Sequence, residues 1–146
     1  MAPVARLRAV VLIIGILGVA LDQITKAIAV ANLDPLVPVP LIGDLLVLRL
    51  IRNPGAAFSM GEGLTPVITV VAIAATVGVL GWLLPRVRHL GWAITTGMRL
   101  AGILGNLIDR LFQPPGVFRG HVIDFFQVPF FIFNVADVFI TAAAVM

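Results

Sequence analysis

The sequence predicts an all-α membrane protein with four transmembrane helices and a small extracytoplasmic β-sheet. This fold class follows from the composition, from four long apolar runs and from one proline-rich connection. Hydrophobic residues make up 60% of the 146 residues and charged residues only 12%, against about 45–50% and about 25% in a soluble globular protein. A short soluble chain would leave much of this apolar surface in water, so the composition indicates a lipid bilayer as the solvent.

Four apolar runs cover residues 7–31, 65–84, 90–111 and 130–146. A helix needs about 20 mainly apolar residues to cross a bilayer, and the first three runs reach that length. The fourth is barely long enough, and we expect it to be truncated or unusually short. All four runs are predicted to belong to one integral-membrane domain, residues 1–146.

Basic residues flank the runs on one side of the predicted bundle. They are Arg6, Arg8, Arg86 and Arg88. The positive-inside rule assigns this side to the cytoplasm, so residues 32–64 and 112–129 are expected outside the membrane. Basic residues before an apolar run are also typical of a signal peptide. No small-residue cleavage motif follows the run, and it is predicted to remain as the first span.

The connection 32–64 is predicted to hold the small sheet. Three prolines between residues 35 and 40 interrupt any helix there. Residues 46–52 alternate in part between apolar and polar side chains, which predicts a strand. The turn signal Asn53-Pro54-Gly55 follows, and residues 56–58 are interpreted as a second extended stretch.

Composition also excludes several classes of function. The chain has no cysteine, so disulfides, thiolate metal sites and a cysteine nucleophile are excluded. The net charge of +3 is scattered, and no basic block is available to follow a phosphate backbone. Nucleic acid is therefore not an expected partner.

Ionisable residues inside the apolar runs need a physical reason, because each costs about 2.5–3.5 kcal/mol at a helix centre on insertion scales. Asp22 and Lys26 stand four residues apart and can pair on one helix face. The pair either reduces its own insertion cost or supports a site near the outer surface, and the spacing does not separate these readings. Arg99 has no obvious partner in the sequence.

The third run ends in a polar face. Asn106, Asp109 and Arg110 are spaced i, i+3 and i+4 and therefore share one side of a helix. Gly102 and Gly105 precede them, and small residues of this kind allow another helix to approach closely.

Two aspartates are the strongest candidates for chemistry. Asp124 lies just before the fourth run, and Asp137 lies two predicted helical turns into it with Asn134 one turn away. Two neighbouring carboxyl groups cannot both ionise easily, so one keeps a proton while the other stays charged. The charged group can take a proton from an attacking water while the neutral group donates to a carbonyl oxygen. This chemistry needs no cofactor and no covalent intermediate.

A pair of aspartates that activates water in this way is typical of an aspartic protease, and three other interpretations compete with it. Ser59 with Lys26 could form a Ser–Lys protease, since no other serine or lysine exists. His121 with the two aspartates could hold a metal, although the sequence lacks a His-Glu-x-x-His motif. A proton-coupled transporter or channel subunit would also place ionisable residues in the membrane. Against the last reading, the acids cluster near one surface, and no inverted repeat is visible.

Five motifs together resemble the lipoprotein signal peptidase (signal peptidase II) family. They are LDQITK at 21–26, RNPGAAFS at 52–59, GNLIDR at 105–110, VIDF at 122–125 and FNVAD at 133–137. Each motif is weak alone, but five in this order and spacing are very specific. Arg99 departs from the resemblance, because it stands where the family pattern is apolar.

The resemblance implies specific roles for the polar residues. Asp124 and Asp137 match the catalytic dyad of the family. The positions that match substrate-binding residues are Asn53, Asn106, Arg110 and Asn134, and those that match supporting residues are Asp22, Lys26, Gly105 and Asp109. No metal or other cofactor is implied.

The resemblance also implies the substrate and the location. The substrate would be a bacterial prolipoprotein that already carries diacylglycerol on the cysteine after its signal peptide, cut just before that cysteine. The enzyme would be a multi-pass protein of the bacterial cytoplasmic (inner) membrane, surrounded by phospholipids, with its active site near the outer face. One site per chain suggests that a monomer suffices.

Overall fold

The computed structural model of the chain describes residues 3–55 and 62–146. Four α-helices and four β-strands make up the described part of the fold. In chain order they are α1 (Val4–Asn32), β1 (Val39–Ile42), β2 (Leu46–Asn53), α2 (Thr65–Gly78), α3 (Leu90–Phe112), β3 (Val122–Val128), β4 (Phe131–Phe133) and α4 (Val135–Val145). A short 3-10 turn, Glu62–Leu64, leads into α2, and α2 continues through a π-helical turn, Val79–Leu83, and a 3-10 turn, Leu84–Arg86.

Two of these helical segments are long and apolar enough to cross a membrane among the described residues. They are Val4–Asn32, with 29 residues, and Thr65–Arg86, with 22 residues. At a rise of about 1.5 Å per residue they are ~44 Å and ~33 Å long, against ~30 Å of hydrocarbon. Helix α3 has 23 residues and is therefore long enough to cross a membrane. It is less apolar than the other two segments, because it contains Arg99, Asn106, Asp109 and Arg110. Residues 7–31 and 90–111 lie within α1 and α3, and residues 65–84 are helical through α2 and the π-helical turn, with residue 84 opening the 3-10 turn.

The prediction of a helix over 130–146 is wrong at its beginning. Phe131–Phe133 forms strand β4, and α4 starts only at Val135 and has 11 residues, or ~16 Å of helix. The apolar run could not distinguish the two conformations, because a short stretch of aromatic and β-branched residues suits either a buried strand or a helix. Asp137 consequently lies in the first turn of α4 and not two turns into a helix.

Among the described residues the sheet is antiparallel with the strand order β1-β2-β3-β4, and residues 32–64 contribute only two of these strands. Strand β2 covers the strand predicted over residues 46–52, whereas β1, in the proline-containing stretch before it, was not predicted. Strands β3 and β4 come from residues 122–133, which were expected as a connection and the start of a helix. The pairing of β2 with β3 sets Asn53 opposite Val122 and Ile51 opposite Asp124. The predicted extended stretch 56–58 lies outside the described residues.

Glycines bring α3 into close contact with α1 and α4. A Cβ atom on Gly102 would lie 2.7 Å from the carbonyl oxygen of Ala136 in α4, and one on Gly97 would lie 2.9 Å from the carbonyl oxygen of Val11 in α1. These distances are shorter than any ordinary carbon–oxygen contact, so only glycine fits without moving a backbone. The close helix approach predicted for Gly102 is confirmed.

Apolar packing lies on both sides of a polar middle layer of the bundle. One buried cluster contains Leu7, Val11, Val79, Val87, Ala93 and Leu100. The other joins the end of α1 to the sheet through Ala29, Leu50, Ile123 and Phe125. Asp22 and Lys26 lie between the two clusters along α1 and are 0% and 2% exposed. The fold therefore encloses charged groups next to the sheet.

We expect Gly102→Ala to lower the free energy of unfolding by about 1–3 kcal/mol, because the added methyl group overpacks the contact with α4. Gly78→Ala is the matched control, since a Cβ there meets no atom within 4 Å and alanine is the better helix former. Thermal unfolding of the purified protein in detergent measures both. Equal unfolding temperatures for the two variants would contradict the packing argument.

Candidate active site

Asp124 and Asp137 face one cavity from two different elements. Asp124 belongs to strand β3 and is 2% exposed, whereas Asp137 in the first turn of α4 is half-buried. Both line a cavity of about 480 Å³ whose other walls come from α2, α3 and β4. The fold thus brings together the two carboxyl groups that the sequence singled out.

Asn134 contacts both aspartates. Its side-chain Nδ2 donates to Asp124 Oδ1 at 2.7 Å, and its backbone N–H donates to Asp137 Oδ2 at 3.2 Å. Its Oδ1 in turn accepts from the backbone N–H of Asp137 at 3.0 Å. Asn134 is the N-cap of α4 and Asp137 is the third residue of the helix, so these bonds form a capping box. The local structure that starts α4 also fixes the second carboxylate.

Two further asparagines complete the hydrogen bonding of the pair. Asn53 Nδ2 donates to Asp124 Oδ2 at 3.2 Å, while its Oδ1 accepts from the N–H of Gly55 at 3.0 Å in a tight turn. Asn106 Nδ2 donates to Asp137 Oδ1 at 3.0 Å. Each of the four carboxylate oxygens therefore receives an N–H donor, which fixes the position of both groups.

Burial and a neighbouring negative charge raise the pKa of Asp124. Loss of water around the carboxyl group is the larger cause and the negative charge of Asp137 is the second, and together they raise the pKa of Asp124 to about 7. The hydrogen bonds from Asn53 and Asn134 and the charge of Lys26 act in the opposite direction and are weaker. Asp124 can therefore hold a proton near neutral pH, as a general acid requires.

Arg110 lines the same cavity from the end of α3. Its charge interacts with Asp137, Asp109 and Asp124, but it forms no salt bridge within 4.0 Å in the part of the chain that the structure describes. A guanidinium group placed at a cavity with donors to spare can bind carbonyl oxygens of a peptide.

A buried ion cluster lies directly behind the two aspartates. Lys26 Nζ lies 2.7 Å from Asp22 Oδ2 and 2.8 Å from Asp109 Oδ2. The pairing of Asp22 with Lys26 is confirmed, whereas the sequence did not pair either residue with Asp109. All three side chains are at most 2% exposed, so each charge depends on the others for compensation.

This cluster holds the backbone immediately before each aspartate of the cavity. Asp22 Oδ1 accepts from the N–H of Ala136 at 2.8 Å, one residue before Asp137. Asp109 Oδ2 accepts from the N–H of Ile123 at 3.0 Å, one residue before Asp124. The predicted supporting residues thus contact β3 and α4 at the points that set the two carboxyl positions.

Gly105 and Gln23 belong to the same polar layer. A Cβ on Gly105 would lie 2.5 Å from Asp22 Oδ2, and the carbonyl oxygen of Gly105 accepts from Lys26 Nζ at 3.3 Å. Gln23 Nε2 donates to the same carbonyl at 3.0 Å and to Asp109 Oδ1 at 3.2 Å. Sequence reasoning missed Gln23, although a polar side chain inside an apolar run is the signal that identified its neighbour Asp22.

The competing sites receive no geometric support from the described residues. Ser59, the nucleophile of the Ser–Lys alternative, lies outside them. Lys26 is committed to Asp22 and Asp109. In residues 3–55 and 62–146 no group of three or more His, Cys, Asp or Glu side chains is arranged to hold a metal ion, and His121 does not line the cavity.

Comparison with known proteins places this geometry in a family. Residues 14–146 match the family model described as Signal peptidase (SPase) II. The chain is 48% identical to the lipoprotein signal peptidase of Rhodococcus jostii over 99% of this chain and 73% of that protein. It is 51% identical to that of Leifsonia xyli, over 81% of this chain and 55% of that protein.

A solved structure supports the fold. A bacterial membrane enzyme determined by the in meso method at 2.3 Å resolution superposes with a TM-score of 0.81 at 26% identity. The match covers 92% of this chain and 82% of the other. The helices and the small sheet are therefore shared with a membrane enzyme.

The titration of Asp124 predicts how stability depends on pH. Because its pKa is raised from 3.8 to about 7, the folded chain holds a proton there between about pH 4 and pH 7 that the unfolded chain has lost. The free energy of unfolding should therefore fall as the pH rises through this window, by on the order of 4 kcal/mol at most. Asp124→Asn removes the titrating group and should flatten the dependence.

Unfolding in detergent between pH 4 and pH 8 measures this difference. Asp44→Asn is the control, because Asp44 is exposed and its replacement should leave the wild-type slope intact. Parallel curves for wild type and Asp124→Asn would show that Asp124 titrates at its ordinary pKa in the folded chain.

Proposed function

Since this chain belongs to the signal peptidase II family, we propose that it removes signal peptides from prolipoproteins as an aspartic endopeptidase with Asp124 and Asp137 as its catalytic pair. The observation that carries this proposal is the pair of carboxyl groups at one cavity, with an N–H donor on each of their four oxygens. The family relationship supplies the reaction, and the cavity supplies residues able to perform it. The transporter alternative has no support among the relatives.

In the proposed reaction Asp137 acts first as the base. It is the more exposed carboxylate of the two and lies at the start of α4, where a helix N-terminus favours negative charge. Asp137 takes a proton from a water molecule as the water oxygen attacks the carbonyl carbon of the scissile peptide bond. Asp124 gives its proton to the carbonyl oxygen, and a neutral tetrahedral diol results.

Breakdown of the diol restores both aspartates. Asp137 passes its proton to the amide nitrogen as the carbon–nitrogen bond breaks. One hydroxyl group of the diol returns its proton to Asp124 and becomes the carbonyl oxygen of the new carboxyl group, which keeps the other hydroxyl. The four N–H donors, two of which belong to Asn134, keep the two carboxyl groups in place. Fixed orientation of this kind contributes several kcal/mol to lowering a barrier.

The walls of the cavity suit a substrate held in the membrane. Below the two aspartates the lining is apolar and includes Ile68, Val71, Ile103 and Ile140 from three helices. We propose that these walls contact the signal helix and the diacylglyceryl chains of a precursor, while Arg110, Asn53 and Asn106 contact its backbone near the lipidated cysteine. Cleavage then occurs just before that cysteine.

The proposed arrangement in the membrane is multi-pass, in the bacterial cytoplasmic membrane. Segment Val4–Asn32, segment Thr65–Arg86 and α3 each have the length to cross, whereas α4 enters from the side of the sheet and covers part of the bilayer. The cavity lies at the end of α3 opposite the basic residues 86 and 88, which supports a site near the outer face. The described groups around the pair all come from one chain, and we propose that a monomer is the active form.

Replacement of either aspartate should abolish cleavage without preventing folding. Asp124→Asn and Asp137→Asn remove the acid and the base but keep side-chain size, and each should lower kcat by at least about 10³-fold. The assay incubates purified protein in detergent with a lipidated precursor peptide and with its unlipidated form. Wild type and the exposed Asp44→Asn control should cleave only the lipidated peptide. Near-normal turnover by either active-site variant would refute the assignment.

Arg110→Ala should weaken substrate binding more than folding. Loss of charge-assisted hydrogen bonds to the peptide should raise KM by about tenfold or more, with a smaller change in kcat. Arg119→Ala is the control, because Arg119 is exposed in the connection on the same side of the fold. If Arg110→Ala lowered only the yield of folded protein and left KM unchanged, the arginine would have a structural role.

A further inference from the structure

Asn106 has a carbonyl oxygen that two donors share. Lys26 Nζ donates to Asn106 Oδ1 at 3.2 Å, and Asn134 Nδ2 donates to the same oxygen at 3.0 Å. On the other side of the amide, Asn106 Nδ2 donates to Asp137 Oδ1 at 3.0 Å. The amide therefore lies between two donors and one carboxylate.

This environment permits one orientation of the amide. An asparagine side chain has an acceptor end and a donor end. Rotation by half a turn would set the NH₂ group against the ammonium of Lys26 and the NH₂ of Asn134, and would set the oxygen against the carboxylate of Asp137. Three favourable contacts would become repulsive, so Lys26 and Asn134 together aim the NH₂ group at Asp137.

Lys26 is itself held rigidly. Its two carboxylate partners, Asp22 and Asp109, lie within 2.8 Å of Nζ, and the carbonyl oxygen of Gly105 lies at 3.3 Å. The side chain is 2% exposed, so no water competes for its N–H groups. An ammonium group has three N–H donors, so two are directed to the carboxylates and the third lies between the carbonyl oxygen of Gly105 and Asn106 Oδ1, at 3.3 Å and 3.2 Å.

We infer that Lys26 is a positioning residue for the catalytic pair, acting on Asp137 through the amide of Asn106. This inference rests on the proposed function, because it assigns Asp137 the role of base. Lys26 also joins α1 to α3 through its ion pairs, and that structural contribution is separate. The structural contribution depends on Asp22 and Asp109, whereas the positioning depends on the bond to Asn106.

A double-mutant cycle separates the two contributions. The variants are Lys26→Met, Asn106→Leu and the combination, each assayed for kcat and KM on the lipidated precursor peptide. Alone, Lys26→Met should lower kcat by about 10–100-fold, the equivalent of one hydrogen bond to a charged group, and change KM less than about twofold. In the Asn106→Leu background the same change should alter kcat by less than about threefold. Independent effects that multiply would overturn the inference.

The pH dependence of kcat gives a second readout. Loss of an N–H donor to the catalytic base should move the acidic limb of the kcat profile of Lys26→Met to higher pH. The charged groups that interact with Asp137 are Asp124 from β3 and Arg110 from α3, and neither is replaced in these variants. A direct effect of the lysine charge would persist in the Asn106→Leu background, whereas an effect through the amide would vanish there.

Folding of the variants needs its own control, because removing a buried lysine leaves two carboxylates uncompensated. The cycle is therefore repeated in an Asp22→Asn background, in which Lys26→Met leaves the net charge of the cluster as it is in the wild type. Unfolding temperatures in detergent identify variants that are folded. If wild type fails to cleave the lipidated peptide, the proposed function fails. If wild type cleaves it and the cycle is multiplicative, only the role of Lys26 fails.

Discussion

The ion cluster of Lys26 with Asp22 and Asp109 is the interaction on which the rest of the fold and the cavity depend. Three charges are enclosed where water cannot reach them, and removing one partner of such a group typically destabilises by about 3–5 kcal/mol. Asp22 Oδ1 accepts from the N–H group of Ala136, and Asp109 Oδ2, which also pairs with Lys26, accepts from the N–H group of Ile123. Helices α1 and α3 are thereby tied to the start of α4 and to β3. The cluster therefore sets the positions of β3 and of the start of α4, which are separate segments of the sequence.

Sequence pattern was sufficient where the structure is regular and local. Long apolar runs predicted α1, α2 and α3, and the spacing of Asp22 and Lys26 predicted their pairing. The start of α4 was predicted too early, because residues 130–133 are apolar in either conformation. A signal was available, however: Asn134 followed by Asp137 has the spacing of a capping box, and an N-cap at Asn134 excludes a helix that begins at 130. Strand β4 was missed for the same reason, whereas β3 lies in residues that were expected as a connection.

Contacts between distant residues were beyond the sequence alone. Asp109 pairs with Lys26, which lies in another helix, and Asn53 and Asn134 reach Asp124 from a strand end and a helix cap. Each residue was recognised as polar and unusual for its surroundings, but only the packing of α1, α3 and the sheet decides which of them meet. The resemblance to a family grouped the residues without giving their bonds. Their proposed roles in substrate binding and catalysis remain predictions.

The secondary structure around the pair explains why two identical side chains are proposed for opposite roles. Asp124 points from a strand in the sheet core, where burial favours the neutral carboxyl group and its pKa rises to about 7. Asp137 is the third residue of α4, where the helix dipole favours a negative charge, and it is open to the cavity. An acid and a base therefore arise from one strand and one helix start, a few residues apart. The asparagine between them serves as the helix cap and binds both carboxyl groups.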